Sequence, residues 1–342
     1  MSVNITENTK KLFEQIHHVV DEAKRITITT HVNPDGDAIG STLAFYHYLC
    51  SLGKECRIII HSSVPYNFQF LSNADNIQTF DNNQNLSEDY ILASDAIFVI
   101  DLNDIDRTKS PAEIIKKSKA RKIVIDHHIN PKEFADIYLV DDNATSAGEL
   151  VYYLIKSNNE FQLDKTISEC LYSAIMTDTG TFRFPRTDGN IHRIIADLID
   201  CGADPVMLFE KIYSTRPPRV IKLLGEAFAG LEMLLDGKLC VMTLTKEHFN
   251  RAGASNEDVE DIVEQSLTIQ GTQVGILFSQ MLESEEIRIS FRSKGDINIR
   301  DVAVKFNGGG HQHAAGARLF NMPMEEAKAM VIEEVEKMLG NC

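Results

Sequence analysis

Two groups of residues in this 342-residue chain have the types and the spacing to do chemistry. The first opens with His31-Val32-Asn33-Pro34-Asp35-Gly36-Asp37, one imidazole and two carboxylates in a seven-residue turn. Asp101 follows one apolar run and Asp126-His127-His128 another, while Asp178 stands in Thr177-Asp178-Thr179-Gly180, where a helical pattern gives way to a glycine turn. Five carboxylates gathered in one crevice cannot all stay anionic without a counter-charge, because repulsion at about 4 Å costs on the order of several kcal/mol per pair in a partly buried site. Metal ions are the simplest counter-charge. Mixed Asp and His ligation without cysteine suits manganese or iron(II), and also zinc or magnesium, whereas calcium prefers oxygen alone. Two ions about 3.5 to 4 Å apart, bridged by one carboxylate and one hydroxide, form the clamp used to displace groups at phosphorus. A D-G-D turn or an H-H pair by itself carries no such meaning; His17-His18, Asp104, Asp106, Asp141 and Asp142 read as ordinary helix and turn residues. Four segments converging at element ends are what point to a dinuclear centre.

The second group is Asn307-Gly308-Gly309-Gly310-His311-Gln312-His313-Ala314-Ala315-Gly316. Successive glycines let backbone N–H groups approach an anion closely, particularly at the start of a helix, so a phosphate would fit there. Upstream, Arg292 and Ser293 supply a guanidinium fork and a hydroxyl, and between Ile287 and Arg318 six basic residues face two acids. His311 is preferred over His313 as a ligand contact because it follows the glycines directly.

The elements that must position these residues can be read from periodicity. Arg25 to Thr30, Cys56 to His61, Ala96 to Ile100 and Arg121 to Ile125 are short β-branched runs of the kind buried on both faces of a parallel sheet. Helical patterns alternate with them, at Ala38 to Leu52, Ser146 to Ile155, Thr166 to Met176 and Asn190 to Ile199. In such a sheet the carboxyl ends of the strands share one edge, where ligands bind. The double proline Pro217-Pro218 marks a break. Beyond it come a helix at Val220 to Leu231, alternating strands at Lys238 to Thr243, Gln273 to Gln280 and Glu286 to Arg292, a helical stretch Ser255 to Leu267, and a last helix Met324 to Leu339. The expected organisation is an α/β fold: a parallel-sheet domain over 1–212, a helical linker over 213–232 and a smaller α/β domain over 233–342.

Composition narrows the classes further. With 43% hydrophobic and 25% charged residues the chain is neither disordered nor fibrous. A net charge of −16 argues against a protein that coats duplex nucleic acid or an anionic membrane, surfaces held mainly by Lys and Arg. No apolar run approaches the roughly 18 residues of a membrane span, and the first residues lack the apolar core of a signal peptide, so a cytoplasmic location is expected. The six cysteines (50, 56, 170, 201, 240 and 342) form no C-x-x-C pair and read as reduced thiols.

With these residues assembled, the sequence resembles the DHH phosphoesterase superfamily, in particular its two-domain nanoRNases and pAp phosphatases. The turn His31 to Asp37, Asp101, Asp126-His127-His128 and Asp178 match its metal motifs, and Gly308 to Gly316 matches the signature of the DHH-associated domain. The resemblance implies two divalent ions, manganese foremost. One would be held by His31, Asp35 and Asp101, the other by Asp37, Asp101, His127 and Asp178, with Asp101 as bridge. Asp126 would orient a histidine and His128 would face the scissile phosphate. Arg292, Ser293, Asn307, Gly308, Gly309, Gly310 and His311 would bind the rest of the nucleotide. The implied substrates are RNA oligonucleotides of a few residues, released as 5′-mononucleotides, and 3′-phosphoadenosine 5′-phosphate (pAp), cleaved to AMP and phosphate. Relatives that cleave cyclic or linear dinucleotides share the motifs and form the main alternative; a non-catalytic nucleotide-binding regulator would lack a ligand, and none is missing. A homodimer through the catalytic domain is a further expectation from relatives.

Overall fold

The computed structural model describes residues 6–259 and 262–340. By internal contacts the chain separates into two units that meet between Thr215 and Arg216. The first runs α1 (Glu7–Glu22), β1 (Arg25–Thr29), α2 (Gly36–Ser51), β2 (Glu55–Ile60), β3 (Gln78–Thr79), α3 (Gln84–Leu92), β4 (Ala96–Ile100), α4 (Ala112–Lys117), β5 (Arg121–Asp126), β6 (Ile137–Val140), α5 (Ala147–Ser157), α6 (Lys165–Asp178), α7 (Gly189–Asp200) and α8 (Pro205–Tyr213). Its six strands lie in the order β3-β2-β1-β4-β5-β6 and every pairing is parallel. The α/β fold expected from sequence is what forms, with β3 and β6 as additional edge strands.

The strand order reverses between β1 and β4, so the chain winds outward on both sides of that pair. Such a switch point opens a crevice at the strand carboxyl ends. Both faces of the sheet are covered, which is why β4 is apolar and buried throughout. On one face Ile26, Ile28, Phe98 and Ile123 pack with α1, α2, α5 and α6; on the other Ile97, Val99 and Val124 meet Tyr90, Ile91 and Ile115.

Two glycines fix the helices that frame the crevice. At Gly40 a Cβ would lie 2.5 Å from the Cys170 carbonyl oxygen, and at Gly36 one would lie 2.4 Å from Thr177 Oγ1. Helices α2 and α6 therefore cross backbone to backbone, which places the start of α2, with its D-G-D turn, against the end of α6 at Asp178. No larger residue permits that approach.

The second unit comprises α9 (Pro218–Ala229), β7 (Glu232–Leu234), β8 (Leu239–Leu244), α10 (Lys246–Ala252), α11 (Ile262–Ser266), β9 (Val274–Gln280), β10 (Glu286–Ser293), α12 (Arg300–Lys305), β11 (Gly309–Gly310), β12 (Ala314–Phe320) and α13 (Met324–Gly340). Its sheet, in the order β11-β12-β10-β9-β8-β7, is antiparallel apart from the β8–β9 pair. Strand β10 buries Ile287, Ile289 and Phe291 on one face, as its alternation demands. The helix expected over Ser255 to Leu267 is broken: Asn256–Val259 is a 3-10 turn and α11 begins at Ile262, with residues 260 and 261 outside the described residues. No helix among the described residues is long and apolar enough to cross a membrane. Cys50, Cys56, Cys170, Cys201 and Cys240 are free thiols, while Cys342 lies outside the described residues.

Candidate metal centre

The strand ends deliver the chemistry to one crevice. His31 follows β1, Asp101 follows β4, Asp126 closes β5 with His127 and His128 behind it, Asp35 and Asp37 flank the first residue of α2, and Asp178 is the last residue of α6. Three groups of ligand atoms each fall within 4.8 Å of one another: His31, Asp35 and Asp101; Asp37, His127 and Asp178; and Asp101, His127 and His128. Asp101 stands at the middle. Its Oδ2 lies 3.4 Å from His31 Nε2 and its Oδ1 lies 3.5 Å from His127 Nε2. His127 Nε2 is also 3.4 Å from Asp178 Oδ2 and 3.8 Å from Asp37 Oδ2, and His31 Nε2 is 4.0 Å from Asp35 Oδ2.

These separations are long for charge-assisted hydrogen bonds, which close to about 2.7–2.9 Å. The shorter of them match neighbouring ligands of one cation: with bonds of about 2.1 Å, ligands at right angles stand about 3 Å apart and at tetrahedral angles about 3.4 Å. Asp101 Oδ1, buried, accepts no hydrogen bond of ordinary geometry among the described residues. The donor set, mixed carboxylate and imidazole with an orphaned buried oxygen at its centre, fits divalent metal ions.

Each ligand is held by its own local structure. His31 Nδ1 donates to the Val32 carbonyl oxygen at 2.9 Å, which turns Nε2 to the crevice. Asp35 caps α2, its Oδ1 accepting from the Ala38 N–H at 3.0 Å while Oδ2 is left for the centre. Asp37, 1% exposed, accepts the Ala147 and Gly148 N–H groups at 2.6 and 2.9 Å, the free donors at the start of α5. Asp101 adopts φ 59°, a left-handed turn that Asp tolerates better than most residues. Its N–H still donates to the Ile125 carbonyl at 2.9 Å, so the turn begins while β4 is tied to β5.

The electrostatics record crowded carboxylates. Burial pushes the Asp37 carboxyl well above the usual range, reinforced by the charges of Asp101 and Asp178. Burial likewise lifts Asp178 to about 7 despite the opposing His127. Asp101 goes the other way: its burial is outweighed by His127 and His31, which hold it well below the ordinary value. Burial opposes the imidazolium of His31, yet Asp101 and Asp35 bring it up to about 9, and Asp178, Asp101 and Asp37 raise His127 in the same sense. In physical terms, the pocket draws in positive charge.

Asp126, fully buried, places Oδ1 2.7 Å from His128 Nδ1. The histidine it orients is therefore His128. Sequence reasoning missed the N–H groups of Ala147 and Gly148. The available signal was Ser146 followed three residues later by Glu149, the mark of a helix start and hence of free backbone donors.

The second group of expected residues lies in the other unit. Arg292 Nε reaches Glu264 Oε1 at 3.3 Å and Nη1 its neighbour's carbonyl, that of Phe291, at 3.1 Å. Ser293 is buried, its Oγ donating to the Ile297 carbonyl at 2.8 Å and lying 3.2 Å from His313 Nδ1. The three glycines do not open a helix. Gly309 and Gly310 form β11, the arm of a hairpin whose partners are Gly316 and Ala315. A Cβ at Gly308 would meet the Gly316 carbonyl oxygen at 2.1 Å and one at Gly310 the Ala314 carbonyl at 2.4 Å, whereas Gly309 faces open space. Two glycines are thus consumed by close backbone approach and one leaves its face clear. Asn307 turns with φ 56°, and His311 is exposed at the tip, its N–H on the Ala314 carbonyl at 2.7 Å.

Comparison with known proteins bears on the whole arrangement. Residues 25–175 match the DHH family, N-terminal domain, and residues 236–341 match the DHHA1 domain. Among curated relatives, the bifunctional oligoribonuclease and PAP phosphatase NrnA of Thermus thermophilus is 29% identical over 92% of this chain and 90% of its own length. The Bacillus subtilis protein of the same name is 28% identical over 86% and 90%. Among solved structures, an exopolyphosphatase-related protein from Bacteroides fragilis superposes with a TM-score of 0.90 at 31% identity, covering 95% of both chains. RecJ from Thermus thermophilus in complex with Mn2+, at 14% identity and a TM-score of 0.55 over 56% of its length, shares the fold.

Proposed function

The chain belongs to the two-domain DHH family, a DHH domain followed by a DHHA1 domain, and from that premise we propose a metal-dependent phosphoesterase that hydrolyses short RNA oligonucleotides to 5′-mononucleotides and pAp to AMP and phosphate. The observation that carries this reading is the position of Asp101, whose two oxygens each face a different imidazole, 3.4 and 3.5 Å away. A carboxylate so placed would serve both of two neighbouring cation sites.

His31, Asp35 and Asp101 would hold one divalent ion and Asp37, Asp101, His127 and Asp178 the other; manganese is the ion proposed first. When bound, such a pair supplies a water of lowered pKa and neutralises charge on phosphoryl oxygens. The protein's own groups do the rest. Asp126 fixes His128 through its Nδ1, so that Nε2 faces the substrate phosphate and donates to the oxygen on which charge develops. The helix start at Ala147 and Gly148 holds Asp37 in place against the repulsion of its neighbours. In the second unit Arg292, Ser293, Asn307, the glycines 308–310 and His311 are proposed to bind the nucleotide, His311 and the open face of Gly309 being the accessible part. The proposed setting is the cytoplasm.

The test is a substrate panel on purified protein with manganese: RNAs of two to five nucleotides, pAp, a cyclic dinucleotide and single-stranded DNA. Release of mononucleotides from the short RNAs and of phosphate from pAp is the expected result. Cleavage confined to the cyclic dinucleotide would replace the proposed substrates, and binding without turnover of any would leave a regulator.

A further inference from the structure

The turn that carries the metal ligands has a neighbour with a different chemistry. Ile105–Thr108, a 3-10 turn after β4, lies against it: the Val32 N–H donates to the Arg107 carbonyl at 2.8 Å, so Arg107 is anchored on the residue next to His31. Further along, Ser110 Oγ and His61 Nδ1 share a hydrogen bond of 2.6 Å at the end of β2, and the Asn33 N–H donates to Ser62 Oγ at 2.9 Å. Segment 105–110 therefore runs from the end of β4 across the end of β1 to that of β2, along the lip of the centre.

The acids of this segment are occupied. Asp104 is held by Lys132 at 2.6 Å and Asp106 by Lys116 at 2.5 Å. Its cations are not: among the described residues neither the half-buried Arg107 nor the exposed Lys109 makes an ion pair or a side-chain hydrogen bond. Lys109 also sits at φ 60°, ψ −116°, a conformation that L residues rarely adopt and that persists only where the surroundings impose it. A half-buried arginine anchored by its backbone beside the metal-ligand turn, whose charge helps hold the Asp104 carboxyl down without closing an ion pair with it, is arranged for an anion from outside. Its planar fork matches two oxygens of one phosphate.

We propose that Arg107 and Lys109, with the Ser110 hydroxyl beside them, form a phosphate subsite that takes the second phosphate of the substrate, the one not being cut. The inference rests on the hydrolase reading above and deepens it. pAp and a 5′-phosphorylated dinucleotide such as pApA share one feature: the nucleotide whose phosphoester is cut also bears a terminal 5′-phosphate. ApA, with a 5′-hydroxyl, offers the scissile phosphate alone. The subsite makes the enzyme select for that terminal group.

The experiment compares kcat/KM for pApA and ApA in wild type, Arg107→Ala, Arg107→Lys and Lys109→Ala. A charge-assisted hydrogen bond sets the expected preference of wild type for pApA at about tenfold or more. Arg107→Ala should raise KM for pApA by about that factor and abolish most of the preference, with ApA much less affected. Arg107→Lys should recover part of it, and Lys109→Ala, an exposed change that leaves the fold intact, should lower it by a smaller factor and weaken its salt dependence. A preference that survives Arg107→Ala, or equal losses on both substrates, overturns the subsite. If wild type cleaves neither dinucleotide, the hydrolase reading fails instead. Calorimetric binding then decides the subsite: tighter binding of pApA than ApA, lost in Arg107→Ala, upholds it, and no difference refutes it.

Discussion

Replacing Asp101 by Ala tests the centre at the point where its two halves meet. The carboxylate belongs to the group with His31 and Asp35 and also reaches His127, but it is absent from the group Asp37, His127 and Asp178. Its removal leaves the first site with two of its three proposed donors, one of them the 58%-exposed Asp35, and the second with three of its four. The variant should therefore keep about one ion per chain where wild type is expected to keep two. Losing one charge of a two-ion clamp forfeits several kcal/mol of transition-state stabilisation. At about 1.4 kcal/mol per tenfold, a loss of about 4 kcal/mol slows turnover about a thousandfold. Metal per chain is read by inductively coupled plasma mass spectrometry after dialysis, and turnover by phosphate release from pAp. Asp101→Asn, which keeps the side-chain shape, should show the same metal loss with an unchanged circular dichroism spectrum, separating ligation from folding. Two ions retained per chain, or activity above a tenth of wild type, would refute the bridging assignment.

Gly148→Ala would place its Cβ 2.6 Å from Ala174 Cβ and 3.2 Å from Asp37 Oδ1. Overpacking of this kind costs about 1–3 kcal/mol, so thermal melts should show a lower midpoint, and metal titration a weaker second ion because Asp37 is displaced. Arg292→Ala should raise KM for pAp by about 10-fold to 100-fold, the loss of one or two charge-assisted hydrogen bonds, while metal titration stays as in wild type. Glu334 lies between Lys305 and Lys337, whose hydrogen bonds pull its carboxyl down to about 2. A depressed carboxyl stabilises the fold above its unfolded value and ceases to do so as pH falls toward the folded one. The Glu334→Gln variant should thus melt below wild type at pH 5 to 8, with the gap narrowing from about pH 4.5 toward pH 2. Because its two lysine partners are exposed, salt should shrink the gap as well.

The parts of this molecule legible in sequence share a cause. His31, Asp101 and Asp126 each stand directly behind a β-branched apolar run, and in a parallel sheet such runs end on one edge, so their meeting follows from strand polarity. Interactions made by backbone leave no such trace. Ala147 and Gly148 hold Asp37 through N–H groups, and nothing in an Ala-Gly pair names an acid 110 residues earlier. Strand β6 escapes because four residues are too few to show a period, and β12 because Ala-Ala-Gly-Ala reads as a loop. The triple glycine misleads for a related reason: the residue type that suits a phosphate cradle also suits a tight hairpin, and only the Cβ contacts at Gly308 and Gly310 tell them apart. Arg107 was hidden by its acidic neighbours, whose pairing with Lys132 and Lys116 no sequence pattern announces.

The net charge of −16 looks hostile to a polyanionic substrate, but charge acts locally. Asp37, Asp101 and Asp126 are at most 2% exposed, so their fields act mainly within the crevice, where bound divalent ions would reverse their sign toward an incoming phosphate. At 0.15 M salt a surface charge is felt over about 8 Å. A substrate of one to a few nucleotides therefore meets the centre, the cations at Arg107 and Lys109, and the nucleotide-binding residues proposed around Arg292, and little else. A long nucleic acid would need an extended basic track, since each phosphate neutralised adds to binding and each one facing an acid subtracts. The acid excess of this chain is thus compatible with a phosphoester substrate in proportion to how short that substrate is, and it makes length selection an electrostatic property of the surface outside the site. The affinity of the protein for RNA of increasing length should accordingly level off after a few nucleotides and not climb with each added phosphate.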